Sequence, residues 1–180
     1  ASLMCRIATD IPSLLAVNSS AVGFNASALQ FERVEKIILD GTFRVFSRWS
    51  FNAVGAGYEE VENPTPVLAV ERTIFPSPTQ PLLCERYLIR NIGPQTLEIS
   101  VPAFSQTVTT PSERGIAGSY IIRAELLDDG VRVLQPGDST TVDALFRACR
   151  VGETLPPANV GAELRARRKF VSEISEKLVL

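Results

Sequence analysis

The stretch from Val67 to Val101 constrains what this chain can fold into more than any other. Val67 to Phe75 is an apolar, β-rich run closed by Pro76-Ser77-Pro78, and Leu82 to Arg90 is a second. Asn91-Ile92-Gly93-Pro94 turns the second run into a third, Thr96 to Val101. Proline cannot donate to a ladder and glycine readily takes positive φ, so these residues end strands rather than interrupt helices. The three runs predict a three-strand unit within an all-β sandwich.

The flanking sequence agrees. Val34 to Leu39 meets Thr42 to Phe51 across Asp40-Gly41, a strong hairpin signal. In the second arm Phe43, Val45, Trp49 and Phe51 share one face, while Thr42, Arg44, Arg48 and Ser50 share the other. Ile11 to Val17 reads as a short strand or a turn of helix, and Asn18 to Ala28 as a loop. Asn52 to Pro66, with its glycines and prolines, is a further loop, and Thr107 to Ser119 is a polar one. Tyr120 to Leu127 turns back through Asp128-Asp129-Gly130 into Val131 to Leu134, and Gln135-Pro136-Gly137-Asp138 leads to the last strand, Thr140 to Cys149. About eight short strands with turns between them make a sandwich or a barrel. Glu71 and Arg72 point to opposite faces, as do Glu85 and Arg86, which predicts cross-strand ion pairs near water.

After Cys149 the character changes. Residues 1–150 form the expected β-sandwich domain, and residues 151–180 a Pro-rich linker and an amphipathic helix. Gly152 to Gly161 holds Pro156-Pro157, and from Ala162 onward Leu164, Val171, Ile174 and Leu178 recur at helical spacing among Arg165, Arg167, Arg168 and Lys169. This stripe either packs back on its own sheet, connects to a following domain, or meets a neighbouring copy, so self-association through the helix is one expectation.

Composition excludes several chemistries. The chain has no histidine, which removes Ser-His and Cys-His catalysis and His-ligated metals. Its three cysteines, Cys5, Cys84 and Cys149, show no metal-ligand spacing, and the last two fall in apolar strand patterns as small buried hydrophobes. No metal and no cofactor are expected. A net charge of -2 spreads no basic field for nucleic acid, and no apolar run approaches the roughly 20 residues of a membrane span. At 180 residues, 45% of them apolar, the chain can bury a sizeable core.

Several segments together resemble a known family: Ile11 to Asn18, Glu71-Arg72-Thr73-Ile74-Phe75-Pro76-Ser77, Leu83-Cys84-Glu85-Arg86-Tyr87, Asn91-Ile92-Gly93, and Leu134-Gln135-Pro136-Gly137-Asp138. In this order they are similar to the N-terminal β-supersandwich (galactose mutarotase-like) domain that precedes an (α/α)6 barrel in bacterial six-hairpin glycosidase-like proteins. The resemblance implies a supersandwich of antiparallel sheets whose C-terminal helix leads to the barrel of a glycoside hydrolase or related enzyme. It implies carbohydrate as substrate, and the catalytic carboxylates belong to the barrel, so no catalytic residue carries over to this chain. A periplasmic or secreted setting follows more readily than a cytoplasmic one. The fold is shared with aldose mutarotases, whose activity relies on histidine and does not transfer.

Glycoside hydrolysis needs two carboxylates across the sugar, whereas an aromatic side chain can stack on a sugar ring. Glu59, Glu60 and Glu62 form one acidic cluster and Asp128 and Asp129 another, both with the character of solvated loops. Tyr58, in a Gly-rich loop, and Trp49 are the candidate carbohydrate contacts, although Trp49 lies in phase with Phe43 and Val45 as a core residue would. Three functions are compatible with this sequence: a non-catalytic domain of a larger carbohydrate-active enzyme, a free-standing carbohydrate-binding module, or a structural or adhesive sandwich of a secreted protein.

Overall fold

The computed structural model describes residues 14–19, 29–51, 65–116 and 118–178. They form an all-β sandwich of two antiparallel sheets with a C-terminal helix. The strands are β1 (Ala16–Ser19), β2 (Leu29–Leu39), β3 (Phe43–Phe51), β4 (Leu68–Pro76), β5 (Leu82–Asn91), β6 (Leu97–Val101), β7 (Ser105–Thr109), β8 (Tyr120–Leu127), β9 (Gly130–Leu134) and β10 (Ser139–Arg150). The larger sheet runs β2-β3-β4-β5-β10-β8-β7 and the smaller β1-β6-β9.

The alternation of apolar residues decides which face of the large sheet is covered. Register puts Trp49 beside Leu68, Val70 beside Ile89 and Tyr87 beside Val142 on one face. These residues pack with Leu15, Val17, Leu97, Ile99, Val101 and Leu134 of the small sheet and its approach, making the main core. On the opposite, outer face, Phe75 pairs with Cys84 and Cys84 with Leu145. There Val160 and Leu164 of helix α1 (Val160–Leu178) cover Phe75, Leu82, Cys84 and Leu145 as a second, smaller core.

Two expectations from the sequence change in three dimensions. The runs from Val67 to Val101 do not form one sheet: β4 pairs with β5, but β6 crosses to the small sheet between β1 and β9. The corner is built on Asn91, which is fully buried and donates through Nδ2 to the carbonyls of Gln95 and Leu134, while its Oδ1 accepts from Gly93 N. Its backbone also bonds Gly137 and Asp138. The segments Asn91-Ile92-Gly93 and Leu134 to Asp138 thus meet as one unit. In the same way Asp128-Asp129-Gly130 is a corner between sheets, not a hairpin, with Asp128 at φ 57°.

The second change is at the edges. Thr107 to Thr109, expected as the start of a polar loop, belong to strand β7 (Ser105–Thr109), which pairs with β8 from Ser105↔Glu125 to Thr109↔Ile121. A polar edge strand with no buried face needs only backbone pairing, so it shows no apolar alternation. At the other edge β2 begins at Leu29, five residues before the run Val34 to Leu39. The Asp40-Gly41 hairpin stands as expected, with Gly41 at φ +86° and Asp40 accepting from the Thr42 hydroxyl at 2.7 Å.

Candidate functional site

Trp49, a candidate sugar contact, is 1% exposed. Its ring meets Tyr87 edge-on at 6.3 Å between centroids, and its indole N–H lies 3.1 Å from both Glu32 Oε1 and Ser47 Oγ. A ring enclosed this way is a core residue and offers no face to a sugar, which corrects its place among the candidates. Its phase with Val45 on β3 already points inward. Tyr58 and the Glu59, Glu60 and Glu62 cluster lie outside the described residues, as does Cys5. Asp128 and Asp129 sit on the exposed corner before β9, where Arg132 donates to the Asp128 and Gly130 carbonyls.

Charge enters the sandwich at one point of the covered face. Arg72 on β4 and Glu85 on β5 form an ion pair, and the Tyr87 hydroxyl donates to the same Glu85 oxygen. Glu85 is 4% exposed while about a third of the Arg72 side chain meets solvent. Burial works against the Arg72 charge, but Tyr87 and Glu85 together hold its pKa above the ordinary value. The outer face carries the other pairs: Arg86 donates to both Asp143 oxygens at 2.7 Å, Arg44 reaches Asp40 and Glu71, and Arg147 reaches Glu125. The Asp143 bond raises the Arg86 pKa despite its partial burial. In these contacts the charged groups act as structural ties.

Cys84 and Cys149 are free and buried. Burial, helped by the Glu163 and Asp143 carboxylates, pushes the Cys84 thiol up to about 12, so it is a poor nucleophile at neutral pH. Among the described residues no group of three or more His, Cys, Asp and Glu side chains is placed to hold a metal.

A shallow cleft of about 220 Å³ lies at the far end of β8 and β10, lined by Thr110, Ile116, Tyr120, Ile122 and Ala148. The Thr110 hydroxyl accepts from Tyr120 N at 2.9 Å, leaving an apolar lining with a half-buried phenol ring. Such a cleft can seat an apolar or sugar-ring face, and its described lining brings no carboxylate to it. In the sequence Tyr120 is in phase with Ile122, Ala124 and Leu126 and reads as core, so nothing there marks it.

No family model, curated protein or solved structure matches the chain.

Helix α1 is the remaining surface with an unmet need. Asn159 caps it, accepting from Ala162 N at 2.9 Å, so the helix starts at Val160 and not at Ala162 as the periodicity suggests. Arg147 bonds the Pro156 carbonyl and fixes the approach. The helix then crosses the outer face to the β2–β3 turn, where Arg167 donates to the Gly41 carbonyl at 2.8 Å. Val171 closes on Gly41 so tightly that a Cβ there would clash with both of its γ-methyl groups. Beyond this point residues 172–177 are exposed. Phe170 and Ile174 remain 38% and 40% exposed, neighbours one turn apart on the helix surface.

Proposed function

We propose that the chain is a non-catalytic β-sandwich domain of a carbohydrate-active enzyme, preceding an (α/α)6 barrel and flanking its active site. One observation carries the reading: helix α1 seats Val160 and Leu164 on the sandwich, whereas Phe170 and Ile174 near its far end keep more than a third of their surface exposed. An amphipathic helix whose distal apolar residues stay partly exposed, among the described residues, is suited to receive a neighbouring domain. The carbohydrate setting rests on the family-like segments, two of which join at the Asn91 corner.

The test is the parent reading frame beyond Leu180. Several hundred further residues with helical periodicity are expected; a stop codon directly after Leu180 would contradict the reading. The purified chain should also show no turnover on a panel of chromogenic glycosides. Turnover abolished by Asp128→Asn would overturn the non-catalytic assignment.

A free-standing carbohydrate-binding module is the second reading, supported by the apolar cleft at Tyr120. Calorimetric titration of sugars, with binding lost in Tyr120→Ala, would favour it.

A further inference from the structure

The large sheet ends in two unlike edges. β7 has five residues, short enough to be a poor template, but β2 has eleven. Among the described residues nothing pairs with the outer edge of β2. Residues 32–37 are all exposed, including Val34 at 50% and Ile37 at 55%. Sheets normally blunt such an edge, and β2 carries charges and a bulge at Glu35, where its register with β3 shifts between Val34 and Lys36.

The order of those charges is what matters. Val34 is the midpoint of Leu29–Leu39, and the five central residues read Glu32-Arg33-Val34-Glu35-Lys36. Laid antiparallel on a second copy with Val34 opposite Val34, this segment sets Arg33 opposite Glu35 twice. A shift of one residue in centre, to Arg33 or to Glu35, places two like charges against each other. Only one nearby register is complementary.

The faces support the central pairs. Arg33 stands opposite Arg48 on the outer face, and Glu35 bonds Arg48 at 2.7 Å on that same face. Arg33 therefore has a like charge as its cross-strand neighbour and no ion-pair partner among the described residues. The Glu35 bulge leaves Lys36 on this face too and Glu32 on the other, so the Arg33–Glu35 pairs carry the specificity.

We propose that β2 pairs antiparallel with β2 of a second copy, centred on Val34, joining two seven-stranded sheets into one. The two-fold interface is closed, because each copy uses its single long edge. The pairing lies at the opposite edge of the hairpin from the helix seat and is independent of any domain beyond Leu180.

Sedimentation equilibrium of the 180-residue chain tests it. The wild type is expected to show a monomer–dimer equilibrium. Arg33→Glu or Glu35→Arg alone sets like charges opposite each other twice and should weaken association by about tenfold or more. The double variant Arg33→Glu/Glu35→Arg should restore it, and the two single variants mixed in equal amounts should form a heterodimer. Glu35→Arg also removes the Arg48 contact, so Val34→Lys, at a half-exposed site, provides a variant expected to fold and stay monomeric. Circular dichroism confirms folding in each case. A wild type that is monomeric at every concentration would overturn the proposal. So would single variants that associate as wild type does, or an association lost in Ile174→Ala but retained in Val34→Lys.

Discussion

Cys84 shows how far a single side chain is set by its surroundings. It sits at 0% exposure among Phe75, Leu82 and Leu145, under the first turns of helix α1. A thiol reagent should leave Cys84 and Cys149 unmodified without denaturant, and fast labelling of both would show that the strands are misplaced. The raised thiol pKa has a sign in stability. The folded form holds its proton up to about 12 while an ordinary thiol loses it near 9.0, so the contribution is complete below 9 and falls as pH rises through that window. Wild type should lose up to about 1.4 kcal/mol per pH unit there that Cys84→Ala does not. Glu85 makes a second residue-scale case. Glu85→Gln leaves Arg72 without its counter-charge beside a buried phenol, and denaturant melts should show a loss of about 1–3 kcal/mol. The larger cost of a fully buried pair is not expected, because the Arg72 side chain keeps contact with water. That charges on β4 and β5 would pair across strands near water is legible in the sequence; that Arg72 takes Glu85, a buried carboxylate, is not. Nor is their common partner Tyr87, because it depends on the β4–β5 register.

The elements were legible in proportion to their burial. β4, β5 and β10 announce themselves as apolar runs and β6 by its alternation, with prolines and glycines at their bounds. β7 buries none of its five residues and has no such pattern, so only the fold reveals it. Sheet membership is likewise hidden: whether Asn91-Ile92-Gly93-Pro94 is a hairpin or a corner depends on the Asn91 carboxamide finding Leu134, a residue 43 positions away. Helix α1 divides into a seated and a free half, and substitutions should report that division. Leu164→Ala should cost about 2 kcal/mol or more, since Leu164 packs on the second core. Gly41→Ala should cost at least as much, because it adds strain at φ +86° to a clash with Val171. A Gly41→Ala protein as stable as wild type would show that the helix does not rest on the hairpin.

For the whole molecule, the two-sheet sandwich follows from strand runs and turn residues, whereas a site does not. The one described aromatic candidate, Trp49, belongs to the core, and the cleft at Tyr120 has no signature along the chain. What distinguishes the molecule is surface that no other described residue covers fully: the distal part of α1 and the long edge of β2. An isolated helix of this length is marginal in water, so α1 owes its persistence to the packing of its first turns. If its distal stripe is shaped for a domain beyond this sheet, truncating that stripe leaves the folding of this chain nearly unchanged. The deciding measurement is the unfolding free energy of Ile174→Ala against wild type in denaturant, at equal and low protein concentration. The account predicts a loss well under about 1 kcal/mol; a loss above about 2 kcal/mol, the range of a buried large-to-small change, would place Ile174 in this chain's own core and contradict it.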